Sequence, residues 1–499
     1  MIHADLLRER ARLTPSRLAL VEVASGLRLT YAELDARASA AAHVLAGALG
    51  LGKGDRLALL AANSVEFVEI FFAAARTGVV LVPLNTRNTP YEIDDILQNA
   101  TPRVLIADAA GLAGSPGGLE GPVSQKRTVT LEDYARLRDA AIGHPFVAVS
   151  CDGEDLLALL YTSGTTGRPK GVRIPHRMVA WNAFNTVIGW QLRDDDVAPV
   201  FTPLYHAGGL GVFLTPMFAV GGTVVLHRAF DAGEVWDAIV REGATVVFGV
   251  PTIFQMLMNA PAFATADLGR VRWCISGGAP LPQYLIDAYQ RRGVTFKQGY
   301  GLTEVGVNCF AMTTEDSIHK KGSIGKPLMF TEARLVDGQG NAVAPGEIGE
   351  LLLRGPHVTQ GYWNDAAATA DALDADGWFH TGDSARSDAE GFFYIAGRKK
   401  DMFISGGVNV YPAEIEAVLL LHPDVQDAAV VGVPHETWGE AGVAFVVARP
   451  GTAPSAEALT AHLRERLSRY KLPREFRFID ALPRTAYGKV VKTELQKRL

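Results

Sequence analysis

The chain reads as an α/β protein: a large N-terminal domain of two α/β subdomains plus a small β-barrel subdomain over residues 1–397, then a small α+β domain over residues 398–499. Three observations carry this reading. Short apolar runs alternate with helical patterns from Arg56 onward, the rhythm of a parallel sheet with crossover helices. Between Gly325 and Arg354 short alternating strands are divided by Asp337-Gly338 and Pro345-Gly346 turns. Beyond Gly397-Arg398-Lys399-Lys400-Asp401 the remaining residues form a self-contained pattern of mixed helices and strands.

Element by element, Thr30 caps a helix that runs through Ala48, with Glu33 completing a capping box. A strand is expected at Arg56 to Leu60, a helix at Phe67 to Thr77, a strand at Val79 to Pro83, a helix at Pro90 to Asn99 and a strand at Val104 to Ile106. The Gly-, Pro- and Ser-rich stretch from Ala110 to Lys126 reads as a connection. Strands are then expected at Leu156 to Leu160 and from Gly171 to Ile174. Further strands follow at Ala198 to Phe201, Thr223 to Leu226, Val246 to Val250, Trp273 to Ser276 and Thr295 to Tyr300. The terminal domain reads as helix Pro412 to Leu421, strands Asp427 to Val433 and Val443 to Ala448, helix Ser455 to Tyr470, strand Glu475 to Ile479 and helix Lys492 to Leu499.

With 499 residues, 48% hydrophobic and 20% charged, the chain is long enough for several domains with large cores. A net charge of −6 offers no general affinity for nucleic acid. Three cysteines, Cys151, Cys274 and Cys309, show no C-x-x-C spacing, which argues against a disulfide frame or a structural zinc site and fits a reducing compartment. The stretch from Val197 to Leu226 lacks charged side chains other than histidine, yet Pro203, Pro216 and its glycines argue for buried strands and turns instead of a membrane span. A cytoplasmic enzyme without a transmembrane segment is expected.

The densest chemistry lies in Thr162-Ser163-Gly164-Thr165-Thr166-Gly167-Arg168-Pro169-Lys170. Glycines let backbone N–H groups approach an anion, hydroxyls donate without filling space, and Lys170 adds fixed positive charge. Pro169 biases Arg168 toward an extended conformation, so no helix starts at Lys170 as it would in the nucleotide loop G-x-x-x-x-G-K-[ST]. Ser276-Gly277-Gly278-Ala279-Pro280 and Gln298-Gly299-Tyr300-Gly301-Leu302-Thr303-Glu304 both end strands, and adjacent strand ends form a ligand crevice in an open α/β sheet. Tyr300 offers a flat face to a purine and Glu304 a hard oxygen to Mg2+. Thr381-Gly382-Asp383 and Gly397-Arg398 supply a carboxylate and a guanidinium suited to ribose hydroxyls. Taken singly, His206 in Tyr205-His206-Ala207-Gly208 is a core histidine and Lys489 in Pro483-Arg484-Thr485-Ala486-Tyr487-Gly488-Lys489 a solvated charge.

Together and in order from about Thr30 to Lys489, these motifs resemble those of the AMP-forming adenylating enzymes: acyl-CoA synthetases, peptide-synthetase adenylation domains and firefly-type luciferases. The resemblance implies that Thr162 to Gly167 and Lys170 hold phosphates, and that Gly277, Gly278, Ala279, Gln298, Gly299, Tyr300 and Gly301 enclose adenine. Thr303, Asp383, Arg398 and Asn409 complete the ATP/AMP site, and Thr166 and Glu304 hold the metal. It implies Lys489 as the catalytic lysine, with Glu304, His206 and Thr166 beside it, Lys400 as the hinge of a mobile C-terminal domain, and Ser405, Gly406 and Gly407 near a thiol channel. An acyl pocket is implied at His206, Gly208, Gly301, Val305 and Val307. Many relatives carry Thr or Ser where this chain has Tyr487.

The implied reaction joins a carboxylic acid to ATP as acyl-AMP and then transfers the acyl group to coenzyme A. A carboxylate is ionised near neutral pH, so the site must supply positive charge and alignment, not a base. The absence of acidic residues from Val197 to Phe230, and apolar Leu210, Phe213, Val305, Val307 and Phe310 near the implied pocket walls, favour a neutral aliphatic or aryl acid. The His206-Ala207-Gly208-Gly209-Leu210 pattern with Gly301-Leu302-Thr303-Glu304-Val305 resembles the fatty acyl-CoA ligases, which implies a medium- or long-chain fatty acid. An aryl acid of hydroxycinnamate or benzoate type is the alternative, as is loading of an acyl carrier protein. A catalytically dead nucleotide-binding scaffold is the non-enzyme alternative. The oligomeric state stays open, a homodimer being the arrangement considered.

Overall fold

The computed structural model describes residues 3–109, 127–162, 169–279, 281–405, 408–436, 438–485 and 489–499. The first sheet has six strands in the order Arg127–Thr130, Val104–Ala107, Arg56–Leu60, Val80–Pro83, Leu156–Thr162 and Lys170–Pro175. All its pairs are parallel except the last, which is antiparallel with Thr162 opposite Lys170. The short link between those two strands allows only this: a parallel pair would need a long crossover. The expected Ala110 to Lys126 connection lies outside the described residues.

The second sheet brings distant segments together in the order Arg28–Thr30, Leu18–Glu22, Thr223–Leu226 and Val197–Val200. The third is fully parallel, Val246–Gly249, Trp273–Ser276 and Thr295–Gln298, with Gly249, Ser276 and Gln298 in register at the carboxyl ends. Helix ends carry the expected chemistry. Thr30 and Glu33 form a capping box ahead of Tyr31–His43, and Thr89 and Glu92 form another ahead of Pro90–Ala100, where Pro90 occupies the first turn at no hydrogen-bond cost.

Two expectations change. The stretch from Val197 to Leu226 is helical in its middle, over Ala207–Gly209, Leu210–Leu214 and Thr215–Val220. Pro216 sits in the first turn of the last of these, where a proline is tolerated, so it does not exclude a helix as the sequence suggested. No helix among the described residues is long and apolar enough to cross a membrane. The segment expected as a small barrel is an antiparallel sheet of four strands, Glu332–Val336, Ile348–Arg354, Phe379–Ser387 and Phe393–Arg398, whose outer strands do not pair with each other among the described residues.

After Arg398 the turn Lys399–Asp401 leads to the terminal unit. There Val425–His435 and Gly439–Ala448 form a long antiparallel pair, Glu475–Phe478 adds in parallel, and helices Pro412–Leu419 and Ala456–Arg464 contribute Leu419 and Leu463 to a core of their own. The helix expected to reach Tyr470 ends at Arg464. In the N-terminal core, helix Val65–Thr77 is buried nearly all round, so its charges need partners. Glu69 meets Arg37 and Arg138, and Arg76 meets Asp5 and Asp35.

Candidate active site

The site begins where the third sheet ends. Past Ser276, Gly277 is buried and donates to the Gly249 carbonyl at 3.4 Å, while Gly299 donates to Ser276 at 2.7 Å, so both glycine turns are stitched to strand ends. A Cβ on Gly277 would meet the Phe248 ring at 3.5 Å. Gly278 has φ +80°, the left-handed region that glycine enters without penalty, and is exposed beside half-buried Ala279. Gly301 is fixed by close approach: a Cβ there would lie 2.3 Å from the Val307 carbonyl carbon and 2.5 Å from the Gly306 oxygen. The chain then enters the short 3-10 turn Thr303–Val305, which presents Glu304.

The antiparallel sheet supplies the other wall. Its last two strands place Asp383 opposite Arg398, and Arg398 Nε lies 2.9 Å from Asp383 Oδ1. The Tyr300 hydroxyl donates to the second oxygen, Oδ2, at 2.5 Å. Burial pushes the Asp383 carboxyl up, against the opposing pull of Arg398 and Tyr300. Thus three residues that sequence places in separate motifs form one connected group.

Lys489 faces the same cleft. Its ammonium is lowered, first by loss of solvent and then by Arg398, with Asp383 and Glu304 acting the other way. Lys400 is also within its electrostatic reach. His206, within electrostatic reach of Lys489, is lowered to about 3 by burial and by Lys489, so its imidazole is neutral at ordinary pH. Burial raises the Glu304 carboxyl, opposed by the Tyr362 hydroxyl, Arg398 and Lys489.

The structure brings together Tyr300, Glu304, Asp383, Arg398, Lys489 and His206, with Gly277, Gly299 and Gly301 shaping the floor. Thr162 and Lys170 face each other at the mouth of the hairpin. Gln298 closes its strand, Thr303 opens the turn at Glu304, and a Cβ on Gly208 would only just reach Phe248, at 4.0 Å. Ser163, Gly164, Thr165, Thr166, Gly167, Gly406 and Gly407 lie outside the described residues. Lys400 is exposed on the turn Lys399–Asp401, between the two domains as read from sequence.

Other residues go elsewhere. Val305 and Phe310, read as pocket walls, are fully buried at 0% exposure in the core under the antiparallel sheet. Phe213 and Leu210 belong to the main N-terminal core. Apolar residues next to a glycine-rich turn satisfy core packing as readily as a pocket, and sequence cannot separate the two. Asn409 is exposed opposite Ile404 in the hairpin after Lys400 and meets none of the cleft groups among the described residues. Ser405, in the same hairpin, is buried and bridges to Gly439.

Tyr362 was missed. Its hydroxyl donates to Glu304 Oε1 at 3.1 Å, and Lys170 Nζ stands 5.0 Å from the centre of its ring. The string Gly361-Tyr362-Trp363, two aromatics after a glycine, was the available signal. Nearby, Asn182 and Asn308 are both buried, and their amide nitrogens converge on the Gly211 carbonyl at 2.8 and 3.2 Å beside Val307.

Glu304 has no ion pair among the described residues, and one of its oxygens is not engaged by Tyr362. A half-buried carboxylate without an ion pair among the described residues fits Mg2+, which takes one or two protein carboxylates and completes its shell with phosphates and water. A separate cluster, His3, Cys151 and His176, has donor atoms within 4.8 Å of one another, which spacing along the chain does not reveal. His3 Nδ1 accepts from Asp5 at 3.1 Å, the His3 ring also bonds the Ala75 backbone, and His176 Nδ1 accepts from Ala4 at 3.4 Å, while His176 Nε2 has no hydrogen-bond partner among the described residues.

Residues 7–363 match the model of the AMP-binding enzyme family and residues 414–489 that of the AMP-binding enzyme C-terminal domain. The chain is 42% identical over 490 residues to a feruloyl-CoA synthase of Amycolatopsis sp, covering 98% of this chain and 97% of the relative. It is 40% identical over 502 residues to the long-chain-fatty-acid–CoA ligase FadD13 of Mycobacterium tuberculosis, covering 99% and 97%. Among solved structures, ATP-bound MatB from Rhodopseudomonas palustris superposes with a TM-score of 0.90 at 34% identity, covering 99% of each chain. With both parts of the family matched and the similarity running end to end, the chain belongs to the AMP-binding enzyme family, within its AMP-forming acyl-CoA synthetases.

Proposed function

We propose that this chain is an ATP-dependent acid–CoA ligase that forms an acyl-adenylate and passes the acyl group to coenzyme A. The observation that carries the reading is the connected group of Tyr300, Asp383 and Arg398, joined by a 2.5 Å hydrogen bond and a 2.9 Å ion pair, with Lys489 within electrostatic reach of Asp383, Arg398 and Glu304 although it lies far from them in sequence. Joining a carboxylate to the α-phosphate brings two anions together, and the barrier is largely their repulsion. Lys489 neutralises the meeting oxygens and aligns them. Lys170 and the Thr162 to Gly167 segment receive the departing pyrophosphate. Asp383 and Arg398 hold the ribose hydroxyls, and Tyr300, held by Asp383, presents its ring to adenine. Mg2+ at Glu304 would offset phosphate charge. Movement about Lys400 would then exchange Lys489 for the segment around Ser405 and open the thiol's approach.

The first reading of the acid is a medium- or long-chain fatty acid, as in the relative FadD13. The second reading is an aryl acid of hydroxycinnamate or benzoate type, as in the relative feruloyl-CoA synthase.

Pyrophosphate release with ATP and Mg2+, measured for fatty and hydroxycinnamate-type acids with and without coenzyme A, tests both levels. Sustained release that requires coenzyme A is expected, with Lys489→Ala slower in adenylation by about 10²–10³-fold. Release from no acid in the panel would reject the ligase reading for those acids, and the ranking of acids decides between fatty and aryl.

A further inference from the structure

We propose that Tyr362 is a positioning residue of the adenylation site, its hydroxyl holding the Glu304 carboxylate and its ring face holding the Lys170 ammonium. This rests on the ligase reading and adds to it a residue outside the motifs that define the site in sequence. Glu304 and Lys170 come from different subdomains and carry opposite charges. Left to meet, they would form an ion pair and cancel the charges that ATP's phosphates and Mg2+ need. Tyr362 stands between them: an O–H donor suits a carboxylate, and the negative face of an aromatic ring suits an ammonium without neutralising it. Lys170 has no ion pair among the described residues.

The side chain can do this because its backbone is tied on both sides. Tyr362 bridges to Val172, Arg173 donates to the Gly361 carbonyl at 3.0 Å, and Trp363 donates to Gly171 at 2.7 Å, so residues 361–363 add a short antiparallel segment to strand Lys170–Pro175. On the other side, Thr359 donates from its backbone to the Glu304 carbonyl at 2.8 Å and from its hydroxyl to the Arg173 carbonyl at 2.6 Å. The Trp363 indole N–H reaches the Asn99 carbonyl at 3.2 Å. Gly361, at φ +101°, admits no Cβ, since one would lie 2.3 Å from Thr369. One segment thus joins the strand that bears Lys170 to the turn that bears Glu304, and Tyr362 sits at the junction.

Two substitutions separate the two contacts. Tyr362→Phe keeps the ring and removes the hydroxyl, whereas Tyr362→Leu removes both. Binding of α,β-methylene-ATP is measured by calorimetry in MgCl2 and in EDTA, with thermal unfolding as the check on folding. Tyr362→Leu is expected to bind about tenfold more weakly in EDTA, because Lys170 loses its placement, and to lose part of the gain that Mg2+ gives as well, with a rise in KM for ATP. Tyr362→Phe is expected to bind as the parent does in EDTA and to lose several-fold of the gain that Mg2+ gives. In EDTA, where the Glu304 contact plays no part, Lys170→Ala combined with Tyr362→Leu is expected to bind no more weakly than Lys170→Ala alone. Parent-like binding by both variants, or additive losses in the double variant in EDTA, overturns the assignment. If Tyr362→Leu does not fold, the near-isosteric Tyr362→Phe decides. A parent that binds the analogue but releases pyrophosphate with no acid counts against the ligase reading alone, and the binding comparison still decides Tyr362.

Discussion

At the scale of single residues, the cleft is built by close approach and by sharing. Gly301 shows the first. The backbone at Gly306 and Val307 comes so near that Gly301→Ala has nowhere to place its methyl, and main-chain atoms cannot step aside as a flexible side chain can. The expected result is a fall in stability of about 1–3 kcal/mol with loss of nucleotide binding, checked by urea unfolding and calorimetry. Parent-like values for both would mean that the turn relaxes cheaply. Sharing is shown by Asp383, whose two oxygens serve Tyr300 and Arg398 separately. The types of these residues were legible in sequence, because a carboxylate, a guanidinium and a phenol each have few partners. Their connection was not, since nothing along the chain says that Tyr300 and Asp383 meet across two subdomains.

Elements place those residues. The hairpin Leu156–Thr162 and Lys170–Pro175 fixes where Lys170 begins, and the short segment that docks on it supplies Tyr362. Most strands of the parallel sheets could be located to within a residue or two, because short β-branched runs with turn residues on both sides leave little choice. Leu18–Glu22 escaped notice although it forms a hairpin with Arg28–Thr30, and its second partner, Thr223–Leu226, is far away in sequence. The connection Lys399–Asp401 joins the antiparallel sheet to the terminal unit, and Lys400 on it is exposed, free of the packing that would hold it still. If it is a hinge, Lys400→Pro, which fixes φ near −65°, should slow coenzyme A-dependent thioester formation by roughly tenfold or more while leaving adenylation within about twofold. Acid-dependent pyrophosphate exchange and thioester formation measured on one preparation would show this, and equal slowing of both half-reactions would argue against a hinge.

For the whole molecule, buried histidines set the response to acid. His176, His227 and His357 are 0%, 0% and 1% exposed, and burial lowers them from 6.5 to about 3, about 4 and about 4. Between those values and 6.5 the unfolded chain takes up protons that the folded chain refuses. Stability is therefore fully present above about pH 6.5 and is lost as pH falls toward 4, at up to roughly 1.4 kcal/mol per pH unit for each imidazole. Urea midpoints at pH 7.5, 6 and 5 should fall in that order, and midpoints independent of pH would show that these rings find partners for their charged forms.

The sequence by itself determined the α/β class, the order of its parts, the family and the residue types that adenylation chemistry requires, because local periodicity, turn chemistry and short motifs are written along the chain. Tertiary structure decided which of those residues meet. It brought Lys489 within electrostatic reach of Glu304 and Asp383, sent Val305 and Phe310 into the core, buried Asn182 and Asn308 against the Gly211 carbonyl, and set Tyr362 between two opposite charges. The physical reason is one of range: propensity and pattern act over a few residues, whereas a binding site is made by burial and hydrogen bonding between segments that only the folded chain brings within reach.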